Sequence, residues 1–330
     1  MLLSFFNFYI ILIGLAKLLN GTGKGKTRMK RARAEPLVSV LLPVKNEEKN
    51  IADCIRSLKK QSYKSIEIIV IDGNSTDKTV EIAKKMGAKV FNEYPPKSSG
   101  NARNIGAKNA KGKYVVFVDA DCTLNSDYVK NAVSILENNG FDGIYHKSVL
   151  YPTRKILPKL SHLEREFSQQ YYCPEIIKRS VYLKLMFNPK LFMGEDYDFG
   201  TRFKEKYKGI YVDLLKSYHK EPDLKKLIKE SFSFGRTYPN ILRMGYPRVL
   251  ISFLWTSAVA LMLPLVFLSI FLPILRLPAL LILSVFSLYS LYKIVKMWKS
   301  DLKFLFPFFK ILRYTLIFIG VILGMVNFLK

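Results

Sequence analysis

The feature that most constrains the fold is a regular alternation of short apolar runs with amphipathic stretches between residues 37 and about 240. Four β-branched runs predict strands, and stretches with apolar residues at helical spacing follow them. Strands that alternate with helices build a mostly parallel sheet with helices on both faces. We therefore predict an α/β, doubly wound domain with strands at 38–43, 65–72, 88–91 and 113–119 and helices at 49–60, 77–86, 100–110 and 126–138.

Acidic side chains follow the fourth predicted strand. The sequence YVVFVDAD places Asp119 and Asp121 one residue apart at the end of this strand. In an extended chain such side chains point the same way, so the pair can hold a divalent cation against the diphosphate of a nucleotide sugar. The same spacing recurs at Asp196 and Asp198, so the surrounding sequence must decide which pair has this role.

Four segments of the chain resemble, in the same order, the motifs of family 2 glycosyltransferases, which have the nucleotide-sugar-binding GT-A fold. The segments are VSVLLPVKNEEKNI, VIDGNSTDKT, SGNARNIGAKNAKGKYVVFVDADC and MGEDYDFGTRFKEKYKG, followed by Tyr218 and His219. The resemblance covers residues 37 to about 240, and its motifs fall at the ends of predicted strands, where the ligands of such sheets bind. It implies an enzyme that transfers a sugar from a nucleotide-diphosphate sugar.

The resemblance implies a donor-binding site in the loops after these strands. Lys45 and Glu47 follow Pro43 and would hold the base and ribose, although an ordinary loop with a helix cap has the same pattern. Asp72 would accept a hydrogen bond from the base. Gly73 stands where the family usually has a second Asp, which leaves the base open between uracil and guanine. The other implied nucleotide-sugar-binding residues are Gly100, Arg103, Asp119, Ala120 and Asp121.

Two helix starts border this predicted site. The segment GNARNIG (residues 100–106) opens a helix whose N-terminal amides favour an anion, and Arg103 within it is similar to a family arginine that contacts the nucleotide. The alternative for Arg103 is a place on the helix surface. Thr76 and Asp77 precede another predicted helix, and we assign them to capping rather than to the site.

Four acidic residues and one histidine are predicted to carry the chemistry. Asp121, Asp119 and His219, which follows the predicted strand GIYVD, would hold Mg²⁺ or Mn²⁺. Glu195 and Asp196 resemble the acceptor-side E-D motif of the family, with Asp196 as the general base. The alternatives are that His219 serves packing and that the E-D pair only opens a capped helix.

Further residues are candidates for supporting the reaction. Arg202 resembles an arginine that follows the E-D motif, and could support Asp196 or a phosphate. Arg236 lies in SFSFGR, where processive family members carry Q-x-x-R-W. It could contact an acceptor phosphate, or it could serve only to orient the protein at the membrane. Because the Gln and Trp are absent, transfer of a single sugar is favoured over long-chain synthesis. Acceptor contacts are expected from residues 145–195, with candidates Tyr145, His146, Glu164, Arg165, Tyr171 and Tyr172.

Apolar runs at both ends of the chain predict four membrane spans. The runs cover Leu2–Leu19, Val249–Leu275, Leu277–Tyr292 and Ile311–Leu329, with Tyr292–Lys310 as an interfacial segment. A buried helical domain of a soluble protein is the alternative. We therefore divide the chain into an anchor (1–20), a basic linker (21–36), the GT-A domain (37–245) and a C-terminal transmembrane region (246–330).

The charge of the chain indicates its surroundings. Lys and Arg number 52 against 26 acidic residues, a formal charge of +26, and many of these cations flank the apolar runs. This pattern favours a membrane over nucleic acid and places the catalytic domain in the cytoplasm. The three cysteines, Cys54, Cys122 and Cys173, lack disulfide or metal-ligand spacing, in keeping with a reducing compartment.

These predictions combine into an inverting enzyme that adds one sugar to a lipid-linked saccharide or a similar hydroxyl acceptor, as in glycan or glycolipid biosynthesis. Two alternatives stay open. One is a polyprenyl-phosphate sugar synthase, whose acceptor is an ionised phosphate. The other is a membrane scaffold that keeps the GT-A fold without turnover.

Overall fold

The computed structural model describes residues 34–93, 98–168, 173–191, 194–242, 247–296, 302 and 305–328. The chain divides into two compact units, Met1–Glu35 and Pro36–Lys330, and all elements named below belong to the second unit. The predicted N-terminal anchor and most of the basic linker lie outside the described residues.

The first half of the second unit follows the predicted alternation. All four predicted strands and all four predicted helices are present, with ends within two residues of those expected. One short strand, β5, was not predicted because three residues are too few to show a period. The elements are β1 (Val38–Val44), α1 (Ile51–Lys59), β2 (Ile66–Asp72), α2 (Thr79–Lys85), β3 (Lys89–Asn92), α3 (Ser99–Asn109), β4 (Tyr114–Phe117), β5 (Cys122–Leu124) and α4 (Tyr128–Asn138).

The second half contains shorter strands and longer helices. The elements are β6 (Gly143–Tyr145), β7 (Ser148–Leu150), α5 (Ile156–Ser168), β8 (Ile176–Lys178), α6 (Arg179–Leu185), α7 (Glu195–Lys206), β9 (Gly209–Tyr211), β10 (Ser217–His219), α8 (Leu224–Leu242), α9 (Pro247–Phe271), a 3-10 turn (Pro273–Leu275), α10 (Arg276–Lys296) and α11 (Phe306–Phe328). The predicted strand GIYVD corresponds to β9.

Seven described strands form a central sheet in the order β3-β2-β1-β4-β8-β6-β9. Strands β3, β2, β1 and β4 are parallel, whereas β8 runs antiparallel to both of its neighbours. The predicted mixed α/β fold around a central, mostly parallel sheet is therefore confirmed. Because β1 lies between β2 and β4, the strand order reverses at β1, and open α/β sheets bind ligands at such a reversal.

Alternate side chains of β1 pack on opposite faces of the sheet. Val38, Val40 and Leu42 are fully buried in the cluster that includes the apolar face of α1, and Leu41 is fully buried in the cluster that includes Ala107 of α3. Burying one such aliphatic side chain contributes about 1.5–3 kcal/mol. The two helix layers therefore fix β1 and the start of the loop that follows it.

The carboxyl end of β1 extends beyond β4. Pairing with β4 ends at Leu41, whereas pairing with β2 continues to Val44. Pro43 lies in this overhang, where its missing N–H cannot interrupt pairing with β4. The resulting separation of β1 from β4 opens the sheet at its carboxyl edge.

A second sheet completes this edge. Its described strands have the order β5-β10-β7, and β10 runs antiparallel to β5 with His219 opposite Cys122. Since β5 begins directly after Asp121, this pairing brings His219 to the acidic pair predicted from the sequence.

Helix α8 crosses α11 with the two backbones in close contact. A Cβ atom on Gly235 would overlap the carbonyl oxygen of Ile317, and one on Gly320 would lie 2.6 Å from the carbonyl oxygen of Phe232. Glycine at both positions therefore permits the crossing.

A buried ionic cluster also holds α11. Glu164 of α5 pairs with both Lys310 and Arg313 of α11, and Lys310 lies over the ring of Tyr314. Glu164 and Lys310 are buried, so each charge depends on its partner for compensation.

The C-terminal helices differ from the predicted set of spans. Among the described residues, Phe306–Leu323 is long and apolar enough to cross a bilayer. Leu254–Met262 and Pro264–Phe271 would form a second span only as a pair bent by 51°, and Arg276–Tyr292 is apolar but shorter. The prediction of three C-terminal spans is therefore wrong in number, because the helix bends beside a proline and the apolar part of α10 is too short.

We expect Gly235→Ala to lower the free energy of unfolding by about 1–3 kcal/mol, because the added methyl group would push α8 away from α11. Thermal unfolding of the detergent-solubilised protein measures this effect. Ser233→Ala, at an exposed position on the same helix, is the control and should leave the unfolding temperature nearly unchanged. Equal unfolding temperatures for the two variants would contradict the close crossing.

Candidate functional site

A cleft of about 500 Å³ opens at the carboxyl edge of the sheet, between β1 and β4. Its described lining comes from the ends of β1 and β2, the segments that follow β1, β2, β3 and β4, the start of α3, and the segment from β10 into α8. The lining residues are Pro43, Val44, Lys45, Glu47, Ile71, Gly73, Glu93, Ser98, Ser99, Ala102, Asp119, Ala120, Asp121, His219, Pro222, Lys226 and Glu230.

The loops after β1 and β2 are joined by hydrogen bonds. Asn46, which has a positive φ of 57°, accepts from the backbone N–H of Thr76 at 2.8 Å, and its own N–H donates to Ser75. The N–H of Glu47 donates to Thr79 at the start of α2. These bonds hold Lys45 and Glu47 at the cleft by fixing the loop around them.

Asp72 and Asp77 have local roles in the second loop. Both carboxylate oxygens of Asp72 accept from the N–H of Ser75, at 3.2 and 3.1 Å, and the residue is buried. Asp77 accepts from the N–H groups of Thr79 and Glu48, in keeping with the predicted capping role. Asp72 lies between two lining residues but is not among the described residues that line the cleft, and its contact with the base stays a prediction.

The start of α3 packs against the start of α7. Ser98 caps α3 by accepting from the N–H of Asn101, and Ser99 donates to Oε1 of Glu195 at 2.6 Å. A Cβ atom on Gly100 would lie 3.0 Å from Cβ of Phe187 and 3.1 Å from Cγ of Glu195. Gly100 therefore provides the space in which Glu195 approaches α3.

Arg103 connects the two acidic motifs. Its Nη2 donates to Oδ1 of Asp119 at 3.2 Å, and its Nη1 donates to Oδ1 of Asp196 at 3.1 Å. The guanidinium group is buried and packs against the rings of Phe117 and Phe187, with distances of 5.6 and 5.5 Å to the ring centroids. A planar guanidinium with fixed donors can hold two carboxylates in a defined relation, which a surface arginine on a helix would not do.

The two acids of the E-D motif have different surroundings. Glu195 is buried, and burial raises its pKa, as does the charge of Asp196, whereas the hydrogen bond from Ser99 lowers it. Asp196 has 49% of its side chain exposed, yet the protein around the carboxyl group raises its pKa through desolvation, and Arg103 opposes this rise. Asp196 is therefore both accessible and more basic than an ordinary aspartate.

The two carboxylates of the acidic pair after β4 have different partners. A turn begins directly after Asp119, in which the N–H of Cys122 donates to the carbonyl oxygen of Asp119 at 2.9 Å. The extended geometry assumed from the sequence is therefore wrong. As a result Asp119 pairs with Arg103, whereas Asp121 lies 3.4 Å from Nε2 of His219 and 3.0 Å from Nζ of Lys226.

Asp121, Cys122 and His219 have donor atoms within 4.8 Å of one another, close enough to share a metal ion. A carboxylate and an imidazole suit Mn²⁺, and carboxylates also suit Mg²⁺. The cleft itself favours a cation, because its described lining has five carboxylates and two lysines. A diphosphate would meet net negative charge there unless a cation came with it. The residues thus fit a divalent ion, and Asp119 as a further ligand stays a prediction.

The two arginines predicted to support the reaction, Arg202 and Arg236, do not lie where that role would require. Arg202 donates to Oδ2 of Asp198 and to the carbonyl oxygens of Leu185 and Met186, so it joins α7 to the end of α6 rather than reaching Asp196. Arg236 is exposed on α8 and is not among the described residues that line the cleft.

Three of the acceptor candidates have buried positions in the structure. Tyr145 packs against Phe203, and His146 packs against Tyr128, where burial lowers the pKa of His146 to about 4. Glu164 is held in its ionic cluster with α11. These three side chains are therefore poor candidates for contacting an acceptor. The side chains of Arg165, Tyr171 and Tyr172 lie outside the described residues.

Lys226 and Ser99 are the main site residues that the sequence analysis missed. Ser99 is the first residue of the SGNARNIG segment, but a serine at a helix start is usually a cap. Lys226 is one of many lysines in a strongly basic chain, so neither its residue type nor its spacing distinguishes it.

Comparison with known proteins identifies the domain. Residues 39–195 match the family model described as Glycosyl transferase family 2. This segment is a family 2 glycosyltransferase domain. The predicted enzyme class is thereby confirmed, and the match includes the cleft residues from β1 to the start of α7.

Curated relatives cover different shares of the chain. A dolichyl N-acetyl-α-D-glucosaminyl phosphate 3-β-D-2,3-diacetamido-2,3-dideoxy-β-D-glucuronosyltransferase of Methanococcus voltae is 26% identical in an alignment of 249 residues, and the match covers 64% of this chain and 76% of that protein. Glycosyltransferase AglE of Haloferax volcanii is 33% identical in an alignment of 114 residues, and the match covers 32% of this chain and 38% of that protein.

The chain also resembles solved structures. The crystal structure of Staphylococcus aureus TarS 1–349 in complex with UDP has a TM-score of 0.46 and 24% identity, over 59% of this chain and 63% of that one. Glucosyl-3-phosphoglycerate synthase from Mycobacterium tuberculosis, in complex with Mn²⁺, UDP and phosphoglyceric acid, has a TM-score of 0.45 and 24% identity, over 59% of this chain and 74% of that one.

We expect Gly100→Ala to lower sugar transfer by about tenfold or more, because the added methyl group would displace Glu195 and Phe187 and with them the start of α7. Initial rates with a labelled nucleotide sugar measure this effect. Lys108→Ala, at an exposed position near the end of α3, is the control. Equal rates in the two variants would show that this close packing does not matter for the site.

Proposed function

We propose that the protein is an inverting glycosyltransferase that moves one sugar from a nucleotide-diphosphate sugar to a hydroxyl group of a lipid-linked saccharide at the cytoplasmic face of the membrane. The pairing of Arg103 with both Asp119 and Asp196 carries this proposal. Asp119 lines the cleft where the donor would bind, and Asp196 is the candidate base. One buried guanidinium group holds the two carboxylates next to each other, as a direct transfer between donor and acceptor requires.

The donor would lie along the carboxyl edge of the sheet. The loop with Lys45 and Glu47 would receive the base and ribose, and the diphosphate would lie near Asp121 and Lys226. Asp121 and His219 are the residues that would hold Mg²⁺ or Mn²⁺. Such an ion supplies positive charge that neutralises the departing diphosphate.

Asp196 would accept the proton of the acceptor hydroxyl as its oxygen attacks the anomeric carbon and the bond from that carbon to the diphosphate breaks. A base for this step must be ionised and within hydrogen-bond reach of the hydroxyl group. Half of the Asp196 side chain is exposed, and its raised pKa makes the carboxylate a better proton acceptor. A single displacement of this kind inverts the anomeric configuration.

The membrane part of the proposal is supported by three observations. Helix α11 contains a segment that is long and apolar enough to cross a bilayer, and the chain carries a formal charge of +26. The Methanococcus voltae relative, which aligns over most of its length, has a dolichyl-linked acceptor in its name. We infer a polyprenyl-linked acceptor for this chain and membrane lipids as its surroundings, without a role for nucleic acid.

The two alternative functions make different demands on Asp196. A polyprenyl-phosphate sugar synthase attacks with a phosphate that is already ionised, so it has little need of a base. A scaffold without turnover needs none. The accessible carboxylate of Asp196, fixed by Arg103, therefore favours a hydroxyl acceptor.

The purified protein should transfer sugar to a polyprenyl-diphosphate-linked saccharide when incubated with a panel of UDP- and GDP-sugars and Mn²⁺. Separation of the lipid products by thin-layer chromatography measures the transfer, with polyprenyl phosphate as the competing acceptor. Asp196→Asn keeps the shape of the side chain and should lower the rate by about 10²–10⁴-fold. Asp198→Asn, two residues away and paired with Arg202, is the matched control and should retain most of the activity.

Two results would contradict this proposal. Product formed only from polyprenyl phosphate would identify the synthase instead. Undiminished transfer by Asp196→Asn would remove this residue as the base.

We expect Arg103→Met to move the acidic limb of the transfer-rate profile to higher pH. The positive charge of Arg103 lowers the pKa of Asp196, so its removal raises that pKa further, and the base becomes protonated at a higher pH as the solution is acidified. Transfer rates measured over a range of about pH 5 to 9 test this shift. An unchanged limb in a variant with the wild-type unfolding temperature would contradict the proposed coupling.

A further inference from the structure

Lys226 extends from α8 into the cleft and contacts its acidic residues. Its Nζ lies 3.0 Å from Oδ2 of Asp121 and 3.7 Å from Oε1 of Glu47. Glu230, one helical turn further along α8, lines the same cleft and adds a third negative charge nearby. The ammonium group therefore supplies positive charge at the part of the cleft predicted to receive the metal and the diphosphate.

The backbone from which this side chain extends is held in place. Oδ1 of Asp223 accepts from the N–H of Lys226 at 2.8 Å, in the first turn of α8. The next residue, Leu227, is fully buried and packs with Leu160 and Phe306. The backbone of Lys226 is therefore held in place, and only its flexible side chain can change position.

The two carboxylate oxygens of Asp121 face different groups. Oδ1 lies 3.4 Å from Nε2 of His219 and 3.9 Å from Sγ of Cys122, the side chains that could share a metal ion with it. Oδ2 accepts from Lys226. A divalent cation arriving at Asp121 would thus meet a carboxylate that already has a positively charged partner.

We propose that Lys226 is an exchangeable counter-ion, which pairs with Asp121 and Glu47 in the free protein and moves to the diphosphate of the donor when the nucleotide and its divalent cation bind. This inference rests on the proposed function, because it assumes a nucleotide diphosphate in the cleft. A lysine suits the exchange because its compact ammonium group has three donors on a flexible chain, whereas arginine favours fixed planar pairing.

The exchange has two opposite consequences for binding. Without nucleotide, the charge of Lys226 repels a divalent cation from Asp121 and so weakens its binding. With nucleotide, the same charge attracts the phosphates and strengthens binding. Lys226 would thereby make the protein prefer the cation together with the nucleotide over the cation alone.

The test is to measure binding of Mn²⁺ alone, by the paramagnetic resonance signal of free Mn²⁺, and binding of UDP and GDP in the presence of Mn²⁺, by calorimetry. We expect Lys226→Met to tighten the binding of Mn²⁺ alone by about tenfold and to weaken nucleotide binding by about tenfold, the order of effect of one nearby unit charge. Lys229→Met, at an exposed position on the same helix, is the matched control and should change neither. Lys226→Arg should retain weak binding of Mn²⁺ alone.

Several outcomes would overturn the inference. If the wild-type protein binds Mn²⁺ and nucleotide and Lys226→Met binds both with unchanged affinity, the role of Lys226 is rejected. The proposed function would then stay intact. A change of both affinities in the same direction would identify Lys226 as a structural ion pair and would also reject it. Absence of binding by the wild-type protein to Mn²⁺ and to either nucleotide would overturn this inference and the proposed donor site together.

Discussion

The site depends on the ion pairs that the buried guanidinium group of Arg103 makes with Asp119 and Asp196. The guanidinium group packs against two aromatic rings of the core, so the core and not solvent sets its position. Because its two donors point at carboxylates from segments far apart in the sequence, it fixes the distance between the donor side of the cleft and the candidate base. The raised pKa of Asp196 reflects the same environment, in which desolvation and a neighbouring positive charge act in opposite directions.

The scaffold around this cluster follows from the order of the strands. The reversal at β1 separates β1 from β4 at their carboxyl ends, and the overhang at Pro43 widens the gap. The small sheet then returns His219 to the turn after β4, and α8 brings Lys226 to the same place from its fixed N-terminal turn. Helix α8 also crosses α11 at Gly235 and Gly320, so the element that supplies Lys226 is packed against the helix whose described segment is long and apolar enough to cross a bilayer.

Much of the fold could be predicted from the sequence, because the first four strands and helices are long enough to show their periods. The site was only partly predictable. Asp119 and Asp121 were found from their position after a strand, but their directions were wrong, because the chain turns between them instead of staying extended. Tyr145 and His146 were candidate acceptor contacts, but they belong to the core, since a polar or aromatic side chain in a short segment gives no sign of the face on which it lies. The membrane spans were overcounted because composition alone does not show where a helix bends.

The sequence by itself determined the alternation that builds the sheet, the acidic motifs at its carboxyl edge and the family of the domain, because these depend on local periodicity and on residues close together in the chain. The tertiary structure alone decided which side chains face one another. Arg103 between Asp119 and Asp196, and Lys226 beside Asp121, are contacts between distant segments. Their formation depends on how helices pack on the sheet and on where the chain turns, and no local pattern encodes either.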